Sequence, residues 1–420
     1  MRDIVKLFEH QQEALELTKE FNKVAYYYDM GLGKTFIASE KAVELGTNIL
    51  VVCQKSKIDD WYRHFSYHYH NYMVNDLTDN FVLEPYVELC NTSYGLNVGV
   101  INYDLIWRRP QLSNLTDFTL ILDESSLIQN ETTNRTKFIL KQLHPTNVIL
   151  LSGTPINGKY EQLWSQCHLL GWNISKELFY RQYIVYTRSE DGYPIISGYK
   201  NVERLKRKLR AYGALFKKKE EVIDLPSKNF VDIKVAETKE FKYFKKNHIV
   251  TVEDKELVGD LPLTDLLYQR MLCGLYNTNK LTAFQDLLDS TNDRLIVFYN
   301  FKEECSKLEQ VLKDNNRPIS YCNGSIKDFT NFRKCENGVM LAQYQSGAYA
   351  HNWQECNKII YFSPPLSYEQ FDQSNDRIHR IGQEQACFYY LLKSGIEYKI
   401  YETLAMRKDY TTELFKEERI

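Results

Sequence analysis

Short apolar runs alternate with amphipathic stretches through the first half of the chain. Val24–Tyr28, Asn48–Cys53, Gly99–Asn102, Thr119–Leu122 and Asn147–Leu151 read as strands, each bounded by polar or Gly-rich turns. Helical stretches such as FIASEKAVEL lie between them. That alternation predicts an α/β fold around a parallel sheet. All of these strands but the third lead straight into a turn with possible chemistry, and open α/β sheets bind ligands at the carboxyl ends of their strands. Residues 203–221 read as a basic helical stretch, which Leu225-Pro226 then breaks. A second α/β pattern follows, with strands at Arg294–Tyr299, Val339–Ala342 and Lys358–Phe362. The pattern divides the chain into two lobes, residues 1–225 and 226–420. Between about residues 235 and 290 it is mostly helical, and TKEFKYFKKNH has the alternating charge of a solvated helix face.

Composition changes this picture little. Of the 420 residues 43% are hydrophobic and 26% charged, which suits a globular core. The net charge of −2 neither requires nor excludes a nucleic-acid partner, since local distribution matters more than the sum. No uninterrupted apolar run reaches the roughly 18–20 residues of a membrane span, and the first residues lack a signal-peptide core. The nine cysteines are scattered without a C-x-x-C pair, which argues against a zinc site or a disulfide framework. A reducing compartment is therefore expected: the cytoplasm, a host cell's cytoplasm, or a nucleus.

The chemistry begins at Asp29–Thr35, DMGLGKT, between a strand and a helical run. Gly31 and Gly33 let the backbone curl so that its N–H groups face phosphate oxygens. Lys34 can reach the β and γ phosphates, and the Thr35 hydroxyl can ligate Mg²⁺. The strict G-x-x-x-x-G-K-[ST] pattern would place glycine at position 28, where this chain has Tyr28, so the match is to the looser G-x-G-K-T form. TLILDE ends in Asp123 and Glu124. The first carboxylate is a candidate Mg²⁺ ligand, and the second can orient or deprotonate an attacking water. LLSGTP supplies Ser152 and Thr154, read as nucleotide-state sensors that couple to the second lobe, a reading compatible with a helix N-cap. In QSNDRIHRIGQ, Arg377 and Arg380 stand three apart. They are read as sharing one helix face and as arginine fingers for the γ phosphate.

Taken in order, these strings resemble the Swi/Snf family of helicase superfamily 2. LFEHQQ resembles the adenine-reading motif, with Gln11 in the glutamine position. DMGLGKT, LILDESSLIQN, LLSGTPINGKYEQLW, LFKKKEEVIDLPSK, LIVFYNFKEEC and DRIHRIGQ resemble successive family motifs. The resemblance implies two RecA-like parallel-sheet lobes with a nucleotide cleft between them. It also implies an ATP-hydrolysing motor, with ATP and Mg²⁺ as cofactors and duplex DNA as partner, acting as a monomer without a membrane. Gln11, Gly31, Leu32, Gly33, Lys34 and Thr35 would hold the nucleotide, and Gln373 joins Ser152 and Thr154 in coupling. Lys55 and Lys57 follow the second strand as candidate backbone-phosphate contacts, and the resemblance adds Asn300, Lys302, Ser346 and Gly347. Trp61 and Trp353 read as stacking wedges or as core.

The sequence departs from the family where Ser125 and Ser126 follow Glu124, and where Ala348 and Ala350 replace usual glycines. Three rival readings remain. One is an RNA or single-strand helicase of the same superfamily, against which Gln383 argues. Another is the motor of a restriction or defence assembly. The third is a nucleic-acid scaffold that has lost hydrolysis.

Overall fold

The computed structural model describes residues 6–92, 96–189, 192–350 and 352–415. The chain divides into two compact units, residues 1–223 with 409–420, and residues 224–408.

The first unit is built on a seven-stranded sheet. Its strands are β1 (Lys23–Tyr28), β2 (Asn48–Cys53), β3 (Tyr72–Asp76), β4 (Leu96–Asn102), β5 (Phe118–Asp123), β6 (Asn147–Leu151) and, further along the chain, β9 (Ala214–Lys217). The order across the sheet is β3-β4-β2-β5-β6-β1-β9, and each neighbouring pair is parallel. Side chains alternate between two cores. Val24, Tyr26, Ile49 and Val51 pack on one face, while Ala25, Tyr27, Leu50 and Val52 pack on the other. Burial on both faces explains why these strands are nearly continuous apolar runs. Between β6 and β9 lies an antiparallel hairpin, β7 (Ile184–Arg188) with β8 (Pro194–Tyr199).

The basic helical stretch read over residues 203–221 is shorter than expected. The helix spans Val202–Ala211, and β9 follows. Gly213 makes the break: its φ is +82°, and an added Cβ would meet the Lys23 carbonyl oxygen at 2.5 Å. Only glycine lets the chain turn there and lie against β1.

The end of the chain also differs from the expected division at 225/226. Residues 409–420 group with the first unit. Leu414 and Phe415 enter its core, Phe415 packs edge-on against Phe216, and the Tyr160 hydroxyl donates to the Tyr410 carbonyl at 3.0 Å.

The second unit has its own seven-stranded sheet and a hairpin. In chain order the strands are β10 (Lys228–Lys234), the hairpin strands β11 (Ile249–Val252) and β12 (Lys255–Val258), β13 (Leu295–Tyr299), β14 (Ile319–Cys322), β15 (Lys327–Asp328), β16 (Val339–Gln343), β17 (Lys358–Tyr361) and β18 (Cys387–Lys393). The sheet order is β10-β18-β17-β13-β16-β14-β15, parallel except for the β14–β15 edge. Each unit is a RecA-like parallel-sheet lobe. The stretch 239–247 is a helix that buries only Phe241 and Phe244 and exposes its charges. Among the described residues no helix is long and apolar enough to cross a membrane.

Candidate functional site

Three neighbouring strands of the first sheet end side by side. In register, Tyr26 of β1 pairs with Leu151 of β6, and Leu151 pairs with Asp123 of β5. The residues that follow each strand therefore emerge at one edge. They are the loop Asp29–Gly33 after β1, Glu124 after β5, and Ser152-Gly153-Thr154 after β6.

The loop after β1 runs into a helix spanning Lys34–Leu45. Gly31 and Gly33 both have positive φ, +90° and +70°. Gly33 caps the helix in the left-handed region, and the helix N-terminus that follows is an end where an anion binds well. Lys34 Nζ donates to the Tyr28 and Asp29 carbonyl oxygens at 2.7 and 3.2 Å, which ties its ammonium to the loop. Thr35 is half-buried beside it. The Leu32 side chain is buried in the core, so only its backbone remains to contribute to a ligand. Asp29 is held in turn: its N–H donates to the Lys217 carbonyl, and its carboxylate accepts from the Lys219 N–H at 3.1 Å and Lys218 Nζ at 3.2 Å.

Gln11 sits on a helix spanning Glu9–Leu17, and its Nε2 donates to the Leu32 and Gly33 carbonyls at 3.3 and 3.4 Å. Its Oε1 accepts from the Phe8 N–H at 2.9 Å. His10 Nε2 reaches the same Leu32 carbonyl at 3.0 Å. A Cβ added at Gly33 would run into Gln11 Nε2. Gly33→Ala is therefore expected to cost about 1–2 kcal/mol through the left-handed backbone and to displace the Gln11 amide, which chemical denaturation checks.

Asp123 and Glu124 are positioned from several directions. Trp61, on a helix spanning Ile58–His68 and buried, donates its indole N–H to Asp123 Oδ2 at 2.8 Å. The Tyr103 hydroxyl donates to the Asp123 carbonyl at 3.0 Å. Burial pushes the Asp123 carboxyl above its ordinary range, against the pull of the Trp61 hydrogen bond and the Lys34 and Lys57 ammonium groups. Glu124 has φ +57°, a strained conformation that turns the chain sharply after the strand. Ser152 Oγ lies 3.5 Å from Glu124 Oε2 and accepts the Thr154 N–H at 3.1 Å.

Gln166 connects these loops from beneath. Its Oε1 accepts from the Ser125 and Tyr27 hydroxyls at 2.8 and 3.0 Å, and its Nε2 donates to the Pro155 carbonyl at 2.8 Å. Neither Gln166 nor the Trp61 contact is visible in the sequence. A lone glutamine and a tryptophan on an amphipathic helix carry no spacing signal, and their partners lie 41 and 62 residues away.

In the second unit the geometry corrects the reading of the arginines. The helix spans Tyr368–Asn375 and ends before Arg377 and Arg380, which lie on the turn that follows, so no shared helix face aligns them. Gln383 and Gly382 shape that turn. Gln383 Nε2 donates to the Gln354, Cys356 and Ile378 carbonyls, and Gly382 has φ +93°. Arg377 is buried, with Nε donating to the Gln373 carbonyl at 3.1 Å. Arg380 is half-buried and donates to the Asn352 side-chain oxygen. Gln373 is buried and donates to Glu369.

The candidate nucleic-acid residues separate by exposure. Lys55 and Lys302 are exposed, and Lys57 is half-buried and pairs with Asp60 at 2.8 Å. Asn300 is internal scaffolding instead: its amide donates to the Ser363 and Pro364 carbonyls, fastening the ends of β13 and β17. Gly347 is buried, and a Cβ there would crowd Ala342, Phe298 and Trp353, so its role is close packing. Ser346 beside it is half-buried. The side chains of Ala348 and Ala350 lie outside the described residues. Trp61 and Trp353 are both core residues.

Residues 18–271, more than half the chain, match the SNF2-related domain, and residues 279–382 match the helicase conserved C-terminal domain. The chain belongs to the SNF2-related family. It is 22% identical over 410 residues to an uncharacterized ATP-dependent helicase of Mycoplasma genitalium, a match covering 89% of this chain and 38% of that protein. It is 24% identical over 477 residues to the DNA excision repair protein ERCC-6-like of Bos taurus, covering 89% and 38%. The chain thus spans about two fifths of the length of these curated relatives. Among solved structures, the Sulfolobus solfataricus SWI2/SNF2 ATPase core in complex with dsDNA aligns over 97% of this chain and 92% of that one. Its sequence identity is 19% and the TM-score 0.46.

Proposed function

We propose that this protein is an ATP-dependent translocase that couples ATP hydrolysis to movement along duplex DNA. The observation that carries the reading is the meeting of Lys34, Asp123, Glu124 and Ser152 at the adjoining ends of β1, β5 and β6. A helix N-terminus and an ammonium receive phosphates there, beside a carboxylate pair. Family membership and the ATP-dependent helicases among the relatives support ATP as the fuel.

In this reading the loop N–H groups and Lys34 bind the β and γ phosphates, and Gln11 reads the adenine. Glu124, turned out by its backbone, orients the attacking water and accepts its proton. Thr35 and Asp123 would hold Mg²⁺, which when bound neutralises phosphate charge. The donor set fits such an ion. Mg²⁺ is usually held by one or two protein oxygens together with the substrate's phosphates, which one hydroxyl and one carboxylate can supply. Arg377 and Arg380 are assigned to charge developing on the transferring phosphoryl group. Ser152, Thr154 and Gln373 pass nucleotide state to the DNA grip. The exposed Lys55 and Lys302 meet backbone phosphates, which carry affinity without sequence information.

The test compares ATPase stimulation by duplex DNA, single-stranded DNA and RNA. Duplex DNA is expected to stimulate most, and triplex displacement should follow. Lys34→Ala should reduce turnover by about 10²–10³-fold on every nucleic acid, since it removes a preorganised cation. Strongest stimulation by RNA would overturn the duplex reading, and full activity of Lys34→Ala would overturn the site.

A further inference from the structure

Asp123 must present its carboxylate in one orientation if it is to meet a metal ion held by nucleotide phosphates. A carboxylate at a strand end otherwise rotates about its terminal torsion, which is broad and weakly restrained. Here Trp61 Nε1–H donates to Oδ2 at 2.8 Å. Trp61 is itself immobilised: it is 1% exposed, stacks on Phe65 at 6.0 Å, and lies edge-on to His64. Behind the same residue the Tyr103 hydroxyl holds the Asp123 backbone carbonyl at 3.0 Å. Main chain and side chain of Asp123 are thus each held by a buried aromatic donor, and the Glu124 backbone N–H also draws on the carboxylate. The indole is donor-only, so it can hold a carboxylate but cannot compete for the ion.

We propose that Trp61 is a positioning residue for metal–nucleotide binding: it engages one Asp123 oxygen and so directs the other to the ion's shell. The proposal rests on the ATP-site reading above. Residues that orient a metal ligand in this way typically account for about 10–100-fold in metal affinity. Trp61 also ties the helix Ile58–His68 to β5, because its indole N–H donates to that carboxylate.

The experiment measures the affinity of the whole protein for ADP by calorimetry, once with Mg²⁺ and once with EDTA. The wild type is expected to bind more tightly with Mg²⁺. Trp61→Phe keeps an aromatic ring and loses the N–H. It should lose about tenfold or more of that Mg²⁺-dependent gain, with metal-free ADP affinity within about twofold of wild type. Phe65→Leu, which disturbs the same packing but spares the donor, should lower the melting temperature and keep the gain. Should Trp61→Phe fold poorly, benzothienylalanine at position 61 removes the N–H with the ring shape retained, and the same loss is expected. An undiminished Mg²⁺ gain in a folded protein carrying Trp61→Phe or benzothienylalanine at position 61 overturns the positioning role while the ATP site stands. Failure of the wild type to bind ADP at all overturns both.

Discussion

Arg380→Ala is expected to lower DNA-stimulated ATP turnover by about 10³–10⁵-fold, the range in which arginine fingers act. KM for ATP should change far less, because the guanidinium is assigned to charge that develops only as the phosphoryl group transfers. Arg380 is half-buried on a turn fixed by Gly382 and the three hydrogen bonds of the Gln383 amide, and it meets the Asn352 side chain. Burial lowers its pKa against the opposing pull of Asp376, yet a guanidinium remains charged at neutral pH. Arg380→Lys should not restore activity, since a point charge on a flexible stem lacks the planar fork. Near-normal kcat in purified Arg380→Ala would remove this residue from the mechanism.

Glu124→Gln carries the second largest expected effect, a loss of about 10²–10⁴-fold in kcat, the usual contribution of a positioned general base. The substitution preserves shape and the contact with Ser152 Oγ, 3.5 Å away, but removes the proton acceptor. Nucleotide affinity should therefore persist while turnover is lost. Equilibrium binding of ATP together with single-turnover hydrolysis separates the two quantities. Loss of binding in parallel with turnover would instead mark Glu124 as a structural residue of the loop.

The legible parts of this chain were those in which one physical requirement dominates. Strands β2 and β6 match their sequence reading end to end, because burial on both faces demands an unbroken apolar run. Strands β3 and β14 mix buried positions with partly buried or exposed ones and gave no such run. Strand β9 has four residues and follows a basic helix so closely that only Gly213 marks the change. The Gly-rich turn after β1 was legible because positive φ at Gly31 and Gly33 admits few substitutes. The arginine spacing suggested a helix, but the helix ends at Asn375 and both arginines lie on the turn that follows. The same holds for Asn300, read as a DNA contact and found fastening two strand ends. Polar side chains take their roles from tertiary partners, which local pattern does not reveal.

The return of residues 409–420 to the first unit has a consequence for synthesis and for dissection. A ribosome delivers Leu414 and Phe415 only after the whole of residues 224–408 has emerged. The lobe begun first is therefore completed last, and its nascent form waits with Tyr160, Tyr199 and Phe216 short of their aromatic neighbours Tyr410 and Phe415. A fragment cut after residue 223 would inherit that same uncovered aromatic surface, and joining the last dozen residues to it through a short linker is the economical repair.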